Sequence, residues 1–134
     1  MEHSSAFQIW IEERVLVVQI AGAWSLETAK AFSRELKHYS QPLIDAGQPW
    51  AHLALLEEWQ SGTSDIEPEI QRLSNWMVLN GLSCTANVFS PDALKSFQLS
   101  RMLEHLSVAS TRYAFDNEKS ARRWLASRGF LHCD

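Results

Sequence analysis

The sequence is short of the features that mark several functional classes. It has 134 residues, with 12 basic and 16 acidic side chains and no cluster of lysine or arginine. The absence of a basic patch argues against a nucleic-acid partner. There are only two cysteines, Cys84 and Cys133, and they lie far apart. Such a pair does not make a disulfide framework, so we expect free thiols in a reducing compartment, Cys84 in the core and Cys133 in the tail.

Long apolar runs and leader-like segments are also missing. The longest apolar stretch, Val15 to Ala23, is interrupted by Gln19 and falls well short of the roughly 20 residues that a bilayer span needs. The N-terminal residues lack the basic and then apolar regions of a signal peptide. We therefore expect a cytoplasmic protein with no transmembrane segment. No linker divides the sequence, which predicts one domain over residues 1–134.

Motifs that carry known chemistry are absent from the sequence. Gly22 and Gly62 are isolated, so neither fits a nucleotide-binding glycine loop, and the five histidines show no metal-ligand spacing. We predict no catalytic residue, no metal site and no cofactor. Glu57 and Glu58 lie at a predicted strand end, where ligands of α/β proteins bind. Adjacent strand residues point to opposite faces, so an enzyme that uses this pair ranks third among our hypotheses.

What the sequence does have is a regular alternation of strand and helix patterns. Strands are predicted over 6–11, 15–20, 50–56, 82–89 and 111–115, with a turn at 22–24 and a polar loop at 60–67. Helices are predicted to begin at Ser25, Pro68, Ser90 and Asn117, the first of them ending near Gly47. The order β-β-α-β-α-β-α-β-α predicts an α/β fold. We expect a mixed, mainly parallel five-stranded sheet with an antiparallel edge hairpin and helices packed on it.

Four short motifs occur in an order that is typical of one family. They are Gly22-Ala23-Trp24, Gln48-Pro49-Trp50, Trp59 at the end of the third strand, and Phe97-Gln98-Leu99 in the third helix. In this respect the chain resembles the STAS domain superfamily from about residue 5 to residue 130. Its nearest branch looks like the SpoIIAA-like bacterial proteins, sometimes grouped with SEC14-like lipid-binding domains. The resemblance implies function by binding rather than by catalysis.

The resemblance also implies a partner and a switch. Anti-sigma-factor antagonists of this family bind a kinase-like protein and are phosphorylated on a Ser or Thr in an Asp-Ser-Ser/Thr-Gly motif that begins the second helix. The matching stretch here is Asp65-Ile66-Glu67-Pro68, so the phosphorylated position is missing and carboxylates lie near the helix start. The leading hypothesis is a non-enzymatic protein-binding module without this phosphoswitch. Its partner-binding loop would comprise Trp59, Ser61, Thr63, Ser64, Asp65 and Glu67.

A second hypothesis, of a different class, is a carrier for a small apolar or lipid-like ligand. The ligand would lie between the sheet and the helices against five large side chains: Trp24, Trp76, Met77, Phe97 and Met102. A cavity lined by these residues would favour the carrier, whereas a filled core with an exposed loop would favour the protein partner. The sequence identifies neither partner nor ligand, and it leaves a homodimer open.

Overall fold

Five strands form one mixed sheet whose spatial order follows the chain. The computed structural model describes residues 6–89 and 111–132. Its strands are Phe7–Glu12 (β1), Val15–Trp24 (β2), Trp50–Gly62 (β3), Leu82–Val88 (β4) and Thr111–Phe115 (β5). β1 and β2 are antiparallel, and the other three neighbouring pairs are parallel. The predicted mixed sheet with a hairpin at its edge is confirmed.

The helices begin close to where the capping residues predict them. They are Leu26–Tyr39 (α1), Gln41–Asp45 (α2), Ile66–Leu79 (α3) and Glu118–Ser127 (α4). Ser25 accepts a hydrogen bond from the backbone N–H of Thr28, and Asn117 accepts one from Ser120, so both predicted N-caps are confirmed.

Two helix boundaries differ from the prediction. The first predicted helix is interrupted at Ser40, because Pro42 suits only the first turn of a new helix. α3 begins two residues before Pro68, at Ile66, and Pro tolerates this position because it is still in the first turn. The predicted third helix, with Phe97 and Met102, lies outside the described residues.

Two strands run further than the sequence predicts. The sequence predicts a turn at Gly22–Trp24 and a loop from Gln60, but these segments pair with each other, with Trp24 opposite Gly62. β1 pairs with β2 only as far as Ile20, and β4 pairs with β3 only as far as Leu55. The carboxyl ends of β2 and β3 therefore form a two-stranded extension. Burial of the Trp24 and Trp59 rings, each 3% exposed, stabilises it against the local turn tendency.

The sheet is buried on both faces. Leu16, Val18, Ala54 and Leu56 pack beneath α1 and α3, on what we call the α3 face. The alternate residues pack beneath α4, on the α4 face; they include Val15, Val17, Leu53, Cys84 and Ala86. Cys84 is a free, buried thiol as predicted, and burial raises its pKa. Cys133 lies outside the described residues.

Side-chain hydrogen bonds tie the hairpin to the last helix. The Arg122 guanidinium donates to both carboxylate oxygens of Glu12, at 2.7 and 3.1 Å, and to Glu118 at 2.7 Å. The bonds from Arg122 hold the pKa of the Glu12 carboxyl below its usual value. These groups are partly exposed, so we assign the network a positioning role and only a small contribution to stability.

Candidate functional site

A row of polar side chains crosses the α3 face, which is mostly apolar. His52 on β3 lies opposite Thr85 on β4, and Thr85 lies opposite Arg112 on β5. His52 and Thr85 are buried, and Arg112 is half-buried. Residues that are directly opposite on neighbouring strands are adjacent in space. The three side chains therefore form a continuous polar strip under the helix layer.

His52 has the least usual environment in this strip. Its side chain is 9% exposed, and its Nε2 atom is buried with no hydrogen-bond partner among the described residues. Burial lowers its pKa from 6.5 to about 4, because the interior disfavours the charged imidazolium. The imidazole is therefore neutral near pH 7, with one ring nitrogen as a donor and the other as an acceptor.

A cavity of about 90 Å³ lies between the α3 face and α3, and we call it the α3 cavity. Most of its lining is apolar, from β2, β3, α1 and α3; it includes Val18, Trp24, Phe32, Ala54, Leu56, Ile66, Ile70, Leu73 and Met77. The polar lining residues are His52, Ser74, Thr85, Asn87 and Arg112. An apolar chamber with a few grouped polar atoms is the usual form of a small-molecule site.

Two tryptophans lie where β2 and β3 extend beyond the sheet. The Trp24 indole donates to the Ala21 carbonyl at 3.0 Å, and its ring packs edge-on against Phe7 and Phe32. The Trp59 ring lines the α3 cavity, and its buried Nε1–H has no acceptor among the described residues. The cavity is therefore lined in part by Trp59 and His52, each of which has a buried nitrogen without a partner in the part of the chain that the structure describes.

The turn between β3 and α3, residues 63–65, is exposed and held by backbone hydrogen bonds. Thr63 N–H donates to the Trp24 carbonyl at 3.1 Å, and the N–H groups of Ile66 and Glu67 donate to the carbonyls of Thr63 and Ser64. Asp65 is the N-cap residue of α3, but its carboxylate makes no capping bond and instead accepts from the Thr63 hydroxyl. The turn thus presents a fixed negative charge at the helix start.

The structure divides the residues that the sequence suggests for binding. Three residues of the partner-loop set are exposed in the turn: Thr63, Ser64 and Asp65. Glu67 is half-buried in α3, and Ser61 lies within β3. Trp59, by contrast, is buried in the cavity wall. Of the apolar set, Trp24 and Met77 line the cavity. Trp76 is half-buried beneath the Lys37 ammonium and is absent from the described lining, while Phe97 and Met102 lie outside the described residues.

The pair Glu57 and Glu58 lies in β3 rather than after it. Both side chains are exposed. The register between β2 and β3 shifts at this point, from Gln19 opposite Leu55 to Ala21 opposite Glu58. Because of this bulge, the simple alternation that the sequence predicts for the two carboxylates does not hold here.

The described residues contain neither a group of metal ligands nor a helix that could span a membrane. Within residues 6–89 and 111–132, no three His, Cys, Asp or Glu side chains are grouped closely enough to hold a metal ion. None of the helices in the same ranges has the length and apolar character that crossing a bilayer requires.

Sequence reasoning missed the polar strip of His52, Thr85 and Arg112. One signal was available: His52 is the only polar residue in the run Trp50 to Leu56. In a strand with two buried faces, a polar residue marks a position that packing alone would fill with an apolar one. Its neighbours Thr85 and Arg112 had no comparable signal, because their proximity depends on strand register.

Comparison with solved structures shows which fold this architecture represents. A crystal structure of an uncharacterised DUF3478-family protein with a SpoIIAA-like fold, from Shewanella loihica, superposes with a TM-score of 0.67. The two sequences are 14% identical over 90% of this chain and 94% of the other. The chain has a SpoIIAA-like fold.

SpoIIAA itself gives a weaker match over a similar extent. The phosphorylated form of this Bacillus cell-fate determinant superposes with a TM-score of 0.51, at 15% identity, over 89% of this chain and 99% of SpoIIAA. The sequence matches no protein-family model, and no curated protein is significantly similar to it. At these identities the comparison establishes the SpoIIAA-like fold but does not assign a role to any residue of this chain.

Proposed function

We propose that this chain is a non-enzymatic, STAS-type regulatory module that binds a protein partner through the turn between β3 and α3. The observation that carries the proposal is the exposed turn of Thr63, Ser64 and Asp65, fixed by backbone bonds at the carboxyl end of a central strand. Ligands of open α/β sheets bind at this end of the strands. A turn held in one conformation loses little entropy when it binds.

The proposal includes a difference from phosphorylated SpoIIAA. In this chain the start of α3 already carries the Asp65 carboxylate, and the Thr63 hydroxyl is occupied as a donor to it. A carboxylate at a helix N-terminus supplies part of the charge that a phosphate would add. The turn is then permanently in its charged form, and partner binding is not switched by phosphorylation of Ser61, Thr63 or Ser64.

Site-specific photocrosslinking in the native host tests the partner surface. A benzophenone amino acid at Ser64, in the turn, is compared with the same group at Lys119, an exposed residue of α4. We expect one discrete crosslinked protein from position 64, none from position 119, and loss of the product when Asp65→Lys reverses the local charge. Equal products from both positions would contradict the proposed surface. Phosphate on Ser61, Thr63 or Ser64 in protein from the host would contradict the constant-charge part alone.

A second candidate function is supported by a separate observation. The lining of the α3 cavity is mainly apolar and includes His52 and Trp59, whose Nε2 and Nε1 atoms are buried with no hydrogen-bond partner among the described residues. Such atoms cost stability unless something hydrogen-bonds to them. We propose on this ground that the module carries a small, mainly apolar ligand, with Trp24 and Met77 in the wall. Trp76, Phe97 and Met102, which the sequence also suggests, remain predictions.

Several expectations from the sequence stay predictions. They are a single domain over residues 1–134, a cytoplasmic location, the absence of a cofactor, and the homodimer that the sequence leaves open. Light scattering of the purified chain would give its oligomeric state. Limited proteolysis would test the single domain, which predicts one resistant core that includes both the hairpin and α4.

A further inference from the structure

Among the buried groups, the His52 imidazole is the one whose position is explained least by fold stability. It lies on the α3 face in β3, between two residues that are buried and apolar, Trp50 and Ala54. An apolar side chain of similar volume at this position would leave no polar atom without a partner. Proteins retain such costs at binding and catalytic sites more often than in plain cores. The cavity around His52 therefore calls for a ligand that suits its chemistry and size.

The chemistry of the lining limits the charge of the ligand. A neutral imidazole Nε2 can donate to a carbonyl oxygen or accept from a hydroxyl, depending on the tautomer. The Nε2 atom itself is buried in this structure, so a ligand in the cavity reaches it when the ring turns about its side-chain torsion. Thr85, next to His52 in the strip, is also neutral. The Arg112 guanidinium also lines the cavity and already takes part in another interaction. A charged ligand group would lose its hydration in this mainly apolar cavity, at a larger cost than a neutral carbonyl or hydroxyl.

The size of the cavity limits the ligand further. An apolar cavity of roughly 150 Å³ accepts benzene. The α3 cavity, at about 90 Å³, is smaller and suits a molecule of about four or five non-hydrogen atoms. Larger ligands would require the side chains of α3, such as Met77, to move.

We propose that the α3 cavity binds a small neutral molecule with an apolar body and a single carbonyl or hydroxyl oxygen, and that this oxygen hydrogen-bonds to His52 Nε2. The proposal rests on the second candidate function and adds to it the chemical class of the ligand and the position of its polar group. The apolar body lies against Ala54, Leu56 and Met77, towards Trp59.

A matched pair of probes distinguishes recognition of the ligand oxygen from apolar binding in general. Butanone carries the oxygen, and 2-methyl-1-butene has the same shape with a methylene group in its place. NMR follows the Met77 methyl signal, which reports occupation of the cavity, and the His52 imidazole nitrogens, which report the hydrogen bond. We expect both probes to shift the Met77 signal, only butanone to shift the His52 nitrogens, and butanone to bind about tenfold more tightly.

Variants of residues around the cavity test the same assignment. His52→Leu should make the two probes bind equally, and Ala54→Leu should abolish binding of both by filling the cavity. His38→Leu, which changes an exposed histidine on α1, is the control and should change nothing. If His52→Leu does not fold, His52→Gln replaces it; an amide there should retain a preference for butanone of about threefold or more.

The outcomes are distinguishable. Equal binding of the two probes by the unmodified protein would overturn the oxygen-binding role of His52 and leave the carrier function standing. Failure of both probes to shift the Met77 signal would overturn the carrier function and this inference together. Tighter binding of butyrate than of butanone would overturn the assignment to a neutral ligand. None of these results bears on the partner surface at Ser64, which the crosslinking experiment tests by itself.

Discussion

The two faces of the sheet differ, and they can be compared directly because the same strands form both. On the α4 face, Val17, Leu53 and Ala86 are fully buried and apolar. On the α3 face, neighbouring positions of the same strands carry His52, Thr85 and Asn87, and a cavity separates them from α3. The same backbone thus supports one face with an apolar core and one face that carries polar side chains beside a cavity.

This difference indicates that the two faces have different roles. A filled apolar layer contributes mainly to the free energy of unfolding. A layer with a cavity and unpartnered polar atoms gives up part of that contribution, as ligand sites commonly do. We therefore expect the α4 face to contribute mainly to the free energy of unfolding and the α3 face to bind a ligand. Four measurements test this contrast.

Truncating one leucine on each face should give the largest effect. Leu53 is fully buried on the α4 face, and Leu56, three residues later in β3, lines the cavity. We expect Leu53→Ala to lower the free energy of unfolding by about 4 kcal/mol and Leu56→Ala by about 2 kcal/mol, because Leu56 has fewer packing partners to lose. Urea denaturation measures both. Equal losses would show that the cavity does not loosen the packing of Leu56.

Enlarging one alanine on each face is the converse experiment. Ala86 is fully buried on the α4 face and Ala54 borders the cavity. We expect Ala86→Leu to destabilise by about 3 kcal/mol, since it adds volume within a fully buried apolar layer. Ala54→Leu has the cavity to enter and should cost less than about 1 kcal/mol. Thermal unfolding of both variants is sufficient, and a larger loss for Ala54→Leu would argue that the cavity is not available to a side chain.

The buried histidine predicts a pH dependence that belongs to the α3 face. The pKa of His52 is about 4 in the folded protein against 6.5 when exposed. Between these values the unfolded chain holds a proton that the folded chain does not, so stability falls as the pH falls. We expect a loss of about 2 kcal/mol between about pH 7.5 and about pH 5. His52→Gln should flatten this profile.

The pH range keeps the two carboxyl groups with lowered pKa values out of the measurement. The carboxyl pKa values of Glu12 and Glu69 are lowered by hydrogen bonds from arginine, so their losses begin only in more acidic solution. The same substitution at an exposed histidine, His38→Gln, is the control variant. A flat profile in the unmodified protein would mean that the buried imidazole accepts a proton without cost, and it would contradict the lowered pKa of His52.

The smallest effect is expected at the start of α3, outside both faces. Asp65 makes no capping hydrogen bond, and its carboxylate accepts only from Thr63. We expect Asp65→Asn to lower the free energy of unfolding by less than about 0.5 kcal/mol through the helix dipole, and less still at high salt. The matched variant Thr63→Val removes the donor of the same bond. A loss above about 1 kcal/mol would indicate a true cap at this residue.

Local patterns were sufficient to predict most of the fold. The caps at Ser25 and Asn117 depend on neighbouring residues alone, as does the hairpin of β1 and β2. The turn at Gly22 to Trp24 was predicted wrongly because the pairing that extends β2 comes from β3, more than thirty positions away. Local propensity does not depend on which strand becomes the neighbour. Backbone groups that can pair with a neighbouring strand form ladder hydrogen bonds with it in preference to a turn.

By itself the sequence determined the order of the five strands among the described residues, the mixed sheet with its edge hairpin, and the positions of apolar and capping residues, because each follows from periodicity and short-range hydrogen bonding. Only the tertiary structure decided the candidate sites. Strand register placed His52 beside Thr85 and Arg112, and the extension of β3 turned Trp59 from an expected loop residue into part of the cavity wall. Register and packing join residues that are distant along the chain, and no local pattern encodes which of them will meet.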